Sequence, residues 1–167
     1  RPIDKNVPAN PLQKLIFNKF MYSKQDFYED QLKSLGLLED DAFTCTCYMD
    51  EVGNKPEKGE VLSWAESSAV VYANSVLGAR TNREGGPSAL ASALTGKTPE
   101  YGLHIVKNRL PEIEFRLADP EAAKSWTQAE YGALGIIAGA ISGNKIPLFK
   151  GIRPKADMLK SMGAAMA

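Results

Sequence analysis

The apolar positions of this chain recur at two spacings, one typical of helices and one typical of strands. Helical spacing, with start and stop signals, predicts helices over residues 12–20, 23–36, 63–78, 87–95 and 127–143, and another from residue 156 onward. Runs rich in β-forming residues predict strands over residues 43–48, 103–106, 113–117 and 146–149. Strands interleaved with helices are typical of the α/β class. We therefore expect an α/β fold.

The stretch over residues 63–95 is the longest continuous pattern in the chain. Ser63, followed three residues later by Glu66, has the spacing of a capping box, in which both side chains bind backbone N–H groups at a helix start. Gly78 stands where a helix commonly ends in a left-handed residue. Nine of the fourteen positions between them are apolar, so we expect a largely buried helix.

A polar seam interrupts this apolar helix. Ser67 and Asn74 are seven residues apart, as are Ser68 and Ser75. Seven residues make about two helical turns, so the members of each pair lie on nearly the same line. These four residues are candidates for lining a binding site.

The loop after this helix has the composition of an anion site. Arg80 and Arg83 flank Asn82, and residues 85–87 read Gly-Gly-Pro before the next helix. A helix start offers free N–H groups, here beginning at Gly86, and guanidinium groups bind carboxylates or phosphates with two hydrogen bonds. A second interpretation remains open, in which the loop is an ordinary corner whose arginines pair with surface carboxylates.

Three glycines within the predicted helix over residues 127–143 share a face. Gly132, Gly135 and Gly139 are spaced three and four apart. Glycine lowers helix stability by about 1 kcal/mol relative to alanine. We therefore expect another backbone to approach this face closely, and contact with a cofactor is a second interpretation.

The composition excludes several classes of partner. Twenty basic and twenty acidic residues give no net charge, which argues against nucleic acid or an anionic membrane as a partner. No apolar run has the length of a membrane span and no secretory signal is visible, so we expect a cytoplasmic protein. The size fits a single domain over residues 1–167, with residues 1–11, polar and proline-rich, as a linker.

Several motifs resemble the large subunit of aconitase X. They are the run SSAVVYANSVLGARTNREGGPSAL within residues 64–90, YGLH at residues 101–104, Asn108-Arg109, and FTCTCY at residues 43–48. That family comprises iron-sulfur hydro-lyases related to aconitase, among them cis-3-hydroxy-L-proline and mevalonate 5-phosphate dehydratases. The resemblance implies an aconitase-like layered arrangement of sheet and helices. It also implies that this chain, which lacks an initial methionine, is a partial catalytic domain of a longer subunit, inactive by itself.

The two cysteines have a structural and a functional interpretation. Cys45 and Cys47 are too close in sequence to pair with each other, and a lone cysteine is often a small buried apolar residue. The resemblance instead implies that Cys45 ligates an iron-sulfur cluster. Cys47 stands where many relatives have proline, which leaves open whether it replaces Cys45 as a ligand, assists it or is simply buried. A cluster of this type needs three thiolates. The resemblance therefore implies that other parts of the full-length enzyme supply the remaining ligands, and that this piece alone holds no cluster.

The resemblance also implies a reaction and partners. The full enzyme would remove water from a small anionic hydroxy acid and would work with a small swivelling subunit or domain. We expect the catalytic base outside this chain. Asn82 to Gly86 departs from the Asn-Arg-Tyr-Gly-Asp pattern of the proline-type enzymes, which favours a phosphomevalonate-like substrate. The candidate substrate-binding residues are Ser67, Ser68, Asn74, Ser75, Arg80, Asn82, Arg83, Gly86 and His104. A non-catalytic module for anion binding or subunit assembly is the alternative.

Overall fold

A computed structural model describes residues 19–37 and 44–167, and the chain divides into two compact units, residues 1–54 and residues 55–167. In the first unit, helix α1 covers Lys19–Ser34 and a 3₁₀ turn covers Asp50–Val52. Because α1 runs continuously through Ser23, the predicted helix start there is wrong. Gly36 follows the helix with a φ of 94°, as the predicted stop requires. The helix predicted over residues 12–18 lies outside the described residues.

The strand predicted over residues 43–48 does not form in its described part, residues 44–48, which are turns and bends. Thr44 explains this difference. Its hydroxyl oxygen accepts a hydrogen bond from the Thr46 N–H at 3.1 Å, and the two threonine hydroxyls lie 3.0 Å apart. A side chain that binds its own neighbouring backbone competes with the pairing that a strand needs.

The second unit begins with two segments that run side by side. Residues 59–64 and 78–84 form parallel bridges at Val61–Arg80 and Trp64–Arg83. Helix α2 covers Ser67–Tyr72 and continues as a wider π-helical turn over Ala73–Leu77, and Gly78 then ends it with a φ of 71°. The predicted stop is confirmed.

The predicted start of this helix at Ser63 is wrong. Glu66 is the N-terminal capping residue of α2 and its side chain makes no capping bond. Trp64 donates its backbone N–H to the Thr81 hydroxyl at 3.1 Å. The bridge to the returning segment therefore holds residues 63–64 extended, and a contact seventeen positions away overrides the local capping signal.

The remaining helices agree closely with the sequence pattern. Helix α3 covers Gly86–Thr95, α4 covers Gln128–Ser142 and α5 covers Ala156–Met166. The capping box of Thr127 and Glu130 at the start of α4 is present in full. The strand predicted over residues 103–106 is wrong: 3₁₀ turns cover Gly102–His104 and Val106–Arg109.

A small parallel sheet and a tight helix pair complete the unit. Strands β1, Ile113–Arg116, and β2, Pro147–Lys150, pair in parallel, with α4 between them in sequence. Phe115 and Phe149 stack on one face with ring centroids 5.2 Å apart. Helices joined to a parallel sheet in this order confirm the α/β class.

Helices α4 and α5 meet at the predicted glycine face. A Cβ atom added to Gly135 would lie 2.3 Å from the Met162 carbonyl oxygen, and one added to Gly139 would lie 3.0 Å from that of Met166. The prediction of close backbone approach is therefore confirmed for these two glycines. At Gly132 an added Cβ would meet no described atom within 4 Å, so the prediction is wrong there.

Candidate functional site

The site predicted from sequence is centred on residues 78–86, which lie between the end of α2 and the start of α3. Hydrogen bonds to residues 59–64 hold this segment along its length, from Gly59 N–H to Gly78 O at 2.9 Å through to Glu84 N–H to Trp64 O at 2.9 Å. Ala79 and Thr81 are fully buried, and Asn82 is 9% exposed. The loop is therefore a fixed backbone from which only some side chains face solvent.

Asn74 fixes the near end of this loop. Its amide nitrogen donates to the carbonyl oxygens of Val70 (2.9 Å) and Thr81 (2.8 Å). Its amide oxygen accepts from the Thr81 N–H (3.2 Å) and from Arg109 Nη1 (2.5 Å). The amide has two donors and two acceptor positions, so these contacts satisfy all of its hydrogen-bonding capacity. Asn74 thus holds the backbone together.

Arg109 joins the same region to the 3₁₀ turns. Its two terminal nitrogens donate to Asn74, and also to the carbonyl oxygens of Ala79 (2.9 Å) and Leu103 (3.2 Å). Burial, and secondly the nearby charge of Arg80, lower the pKa of Arg109. The sequence interpretation gave this arginine no structural role. Its partners lie up to 35 positions away, so no local pattern indicates them. Only the Asn108-Arg109 motif drew attention to this arginine in the sequence.

Arg80 donates hydrogen bonds to backbone carbonyl oxygens on either side of the loop. Its Nε and Nη2 atoms donate to the Gly59 carbonyl oxygen at 3.0 and 2.8 Å, and Nη1 donates to the His104 carbonyl oxygen at 3.3 Å. These contacts leave two of its five N–H groups. The structure therefore directs Arg80 toward holding the loop.

Asn82 and His104 form a buried pair. The Asn82 amide oxygen accepts from the Leu103 N–H at 2.7 Å, and its nitrogen lies 3.3 Å from His104 Nδ1. The His104 ring is 5% exposed, with Nδ1 3.0 Å from the Pro99 carbonyl oxygen and Nε2 2.9 Å from that of Leu62. Both ring nitrogens thus face backbone, and the pair ties the loop to the turns after α3.

Arg83 is the exposed cation of the loop. Among the described residues, its side chain has no hydrogen bond or ion pair. Gly86 starts α3 and is also exposed, and an added Cβ there would meet no described atom within 4 Å. The first N–H groups of α3 are therefore accessible, and a guanidinium precedes them by three positions. This is the part of the predicted anion site that the structure leaves open to a ligand.

A carboxylate already lies beside this helix start. Glu84 accepts hydrogen bonds from the Ser88 hydroxyl at 3.1 Å and from the Tyr101 hydroxyl at 2.9 Å. The bond to Glu84, followed by burial, raises the pKa of Tyr101. Glu84 therefore anchors Tyr101 and is not hydrogen-bonded to the arginine that precedes it.

The serines of the seam have modest contacts. The Ser68 hydroxyl donates to a Glu66 carboxylate oxygen at 3.4 Å, and the exposed Ser75 donates to the Val71 carbonyl oxygen at 2.6 Å. Ser67 is half-buried in the first turn of α2. Their assignment to a binding site stays a prediction.

Cys45 and Cys47 are half-buried in the first unit, and neither forms a disulfide with a described residue. The described residues contain no group of three or more His, Cys, Asp or Glu side chains arranged to hold a metal ion. Thiolates are the ligands that iron-sulfur clusters use, so the donor chemistry fits. The number of donors is too small, because the cluster needs three thiolates and this chain has two cysteines.

Comparison with known proteins places these features in a family. Residues 5–107 match the model of the aconitase X first domain, and residues 104–167 match the aconitase X second domain. The chain therefore belongs to the aconitase X family. No helix in the described part of the chain has the length and apolarity to cross a membrane.

Individual proteins that are similar to this chain have names that are consistent with this family. The phosphomevalonate dehydratase large subunit of Methanosarcina mazei is 53% identical over 125 residues, which are 74% of this chain and 30% of that protein. The cis-3-hydroxy-L-proline dehydratase of Hypocrea jecorina is 41% identical over 128 residues, covering 75% and 21% respectively. The holo-form crystal structure of Thermococcus kodakaraensis aconitase X gives a TM-score of 0.79 at 43% identity, over 90% of this chain and 37% of that one. The matched part of this chain thus spans between 21% and 37% of the length of these relatives.

Proposed function

We propose that this chain is part of the catalytic subunit of an iron-sulfur-dependent dehydratase that acts on a small hydroxy acid. The match to both aconitase X domain models supports this proposal, together with relatives that are named as dehydratases. The activity belongs to the full-length subunit, since the chain corresponds to less than 40% of each of these relatives.

The proposed substrate is phosphomevalonate-like. Identity is 53% to the Methanosarcina mazei phosphomevalonate dehydratase large subunit and 54% to that of Methanothermobacter thermautotrophicus. It is 41% and 38% to the cis-3-hydroxy-L-proline dehydratases of Hypocrea jecorina and Pseudomonas aeruginosa. The sequence of residues 82–86 favours the same branch. A cis-3-hydroxy-L-proline-like substrate is the second candidate.

In this proposal Arg83 and the N–H groups at the start of α3 bind the anionic group of the substrate. Arg83 is exposed and unpaired among the described residues, and Gly86 leaves the backbone accessible. Asn74, Asn82 and His104 act as positioning residues. Asn74 binds the loop backbone at Thr81, Asn82 accepts a hydrogen bond from the Leu103 N–H, and His104 Nε2 faces the Leu62 carbonyl oxygen of the segment paired with the loop. In the same proposal, the serines of the seam line the substrate site next to these residues.

Cys45 would supply one ligand of the iron-sulfur cluster. When bound, such a cluster supplies an open iron that polarises the leaving hydroxyl of the substrate. The remaining ligands and the base that removes the proton would come from parts of the subunit that this chain does not span. A small subunit would complete the enzyme, and a cytoplasmic location remains our prediction.

A chimeric enzyme tests this proposal. This chain would replace the matching part of the Methanosarcina mazei large subunit, which would be produced with its small subunit under anaerobic conditions. We expect dehydration of 5-phosphomevalonate and little turnover of cis-3-hydroxy-L-proline. Turnover of the proline substrate alone would reverse the substrate assignment. A chimera that assembles but dehydrates neither compound would overturn the proposal in favour of a non-catalytic module.

A further inference from the structure

A cavity of about 390 Å³ lies in the second unit, away in sequence from the Arg83 loop. Its walls come from residues 120–126, from the first turn of α4 and from residues 151–158, which include the start of α5. Its volume lies within the range of small-molecule sites. Pro120, Ile152 and Met158 form apolar parts of the wall.

Two aromatic hydrogen-bond donors line this cavity without a partner among the described residues. Tyr131 is only 2% exposed, and its hydroxyl has no hydrogen bond there. Burial raises the pKa of Tyr131, so the hydroxyl keeps its proton. Trp126 packs edge-on against it with ring centroids 5.6 Å apart, and its indole N–H is likewise unbonded within the described ranges. Tyr131 is buried and Trp126 is half-buried, but neither donor atom is itself fully buried, so both can donate to an acceptor that enters the cavity.

The cavity wall carries three cations against one carboxylate, that of Glu121, and is therefore net positive. Arg153 and Lys155 line it and form no ion pair with any described residue. The third cation, Lys124, is bound to Glu121 at 2.5 Å. Asp157, in the first turn of α5, accepts from Gln128 at 2.9 Å and is not part of the wall. The charge of Lys155 is one of the causes that lower the pKa of Asp157, after the hydrogen bond from Gln128, so Arg153 is the wall cation without a carboxylate partner among the described residues.

We propose that this cavity binds a small organic anion with an apolar body, such as a branched carboxylate or a phosphate ester. The anionic group would accept hydrogen bonds from Tyr131 and Trp126 and pair with Arg153. The carbon skeleton would pack against Ile152 and Met158. The hydroxyl of Tyr131, which has no hydrogen bond to a described residue, carries this assignment independently of the helix start at α5. The site does not depend on the proposed dehydratase function.

The two tryptophans of the chain give a direct measurement. Trp126 lines the cavity, and Trp64 belongs to the bridge beside the Arg83 loop. Indole N–H resonances of the ¹⁵N-labelled 167-residue chain would be followed during titration with isovalerate, inorganic phosphate and the neutral amide isovaleramide. We expect a saturable shift of the Trp126 resonance with isovalerate. We expect no matching shift of Trp64 and at least tenfold weaker binding of the amide. A response to phosphate as well would identify the bare anion as sufficient.

Matched variants distinguish a built site from general charge attraction. Tyr131→Phe keeps the ring and removes the hydroxyl, and Arg153→Gln removes one cation. Each should weaken isovalerate binding, by roughly fivefold and roughly tenfold, since hydrogen bonds to charged groups are among the stronger ones. Arg116→Gln removes the same charge from the exposed face of β1 and should leave the affinity unchanged.

Three results would overturn the proposal. They are an unchanged Trp126 resonance at saturating isovalerate, equal binding of isovaleramide, and equal weakening by Arg116→Gln and Arg153→Gln. Retention of the Trp64 resonance at its original position verifies that each variant is folded. Should Tyr131→Phe alter that resonance, Arg153→Gln decides the question by itself, because its side chain is exposed.

Discussion

Asn74 and Thr81 bind each other twice across the turn that ends α2. The Asn74 amide donates to the Thr81 carbonyl oxygen at 2.8 Å, and its oxygen accepts from the Thr81 N–H at 3.2 Å. This pairing closes the π-helical turn over Ala73–Leu77 and fixes the direction in which the Arg83 loop leaves the helix. Widened turns of this kind are often found at functional sites.

Replacing Asn74 by alanine should therefore lower the free energy of unfolding by about 2–4 kcal/mol, because several part-buried partners lose their hydrogen bonds at once. Urea unfolding of the 167-residue chain measures the effect. Ser75→Ala, one position away, removes only an exposed bond to Val71 and should change stability by less than about 0.5 kcal/mol. Equal effects of the two variants would show that the Asn74 contacts contribute little.

The glycine face of α4 gives a second matched pair. Gly135→Ala places a Cβ atom 2.3 Å from the Met162 carbonyl oxygen and should destabilise the α4–α5 pair by about 1–3 kcal/mol. Gly132→Ala introduces the same change where no described atom lies within 4 Å, and should stabilise the chain by up to about 1 kcal/mol. Thermal unfolding compares the two. Stabilisation by Gly135→Ala would contradict the close packing of these helices.

The capping box at the start of α4 should make stability depend on pH. Hydrogen bonds from Thr127 lower the pKa of Glu130 below its ordinary value of 4.5. The unfolded chain therefore takes up this proton first, and the contribution of Glu130 is present above pH 4.5 and lost as the pH falls through the folded-state pKa. The stability difference between wild type and Glu130→Ala should shrink between about pH 6 and about pH 3. If Thr127→Ala leaves that pH dependence unchanged, the hydroxyl is not its cause.

The helix caps and the glycine face also show what the sequence can and cannot predict. The Thr127–Glu130 cap and the Gly135 contact follow from residues three or four positions apart, so their patterns are legible in the sequence. The Ser63–Glu66 pair has the same spacing as a working cap. It fails because Trp64 bonds to Thr81, a contact that no local pattern encodes.

The candidate site divides in the same way. The exposed Arg83 and the helix start at Gly86 were predictable from composition and from the Gly-Gly-Pro signal. The engagement of Arg80 with Gly59, and of Arg109 with Asn74, depends on partners 21 and 35 positions away. Residues 103–106 similarly form no strand because Asn82 takes the Leu103 N–H.

Arg83→Gln should weaken phosphate binding by the 167-residue chain roughly tenfold, because a charge-assisted contact is lost. Arg83→Lys should restore only part of the affinity, since an ammonium group cannot form the paired bonds of a guanidinium. Amide resonances of residues 78–89 report the binding. Lys97→Gln removes a cation beyond the opposite end of α3 and should have no effect. If neither Arg83 variant binds phosphate more weakly than wild type, the loop is a structural corner and not an anion site.

The central claim is that this chain contributes Cys45 to the cluster of an aconitase X-type dehydratase. The isolated chain should remain colourless after anaerobic treatment with iron and sulfide, because its two cysteines cannot supply three ligands. A stoichiometric cluster on the isolated chain would contradict that reasoning. This experiment also provides the baseline for the complete subunit.

The most direct measurement compares Cys45→Ser with Cys47→Ser in the chimeric large subunit, by visible absorption and by dehydration of 5-phosphomevalonate. We predict that Cys45→Ser loses the cluster absorption and reduces activity at least about a hundredfold, as expected when a ligand that holds the catalytic metal is removed. Cys47→Ser should retain most of both. A Cys45→Ser enzyme with normal absorption and activity would contradict the account.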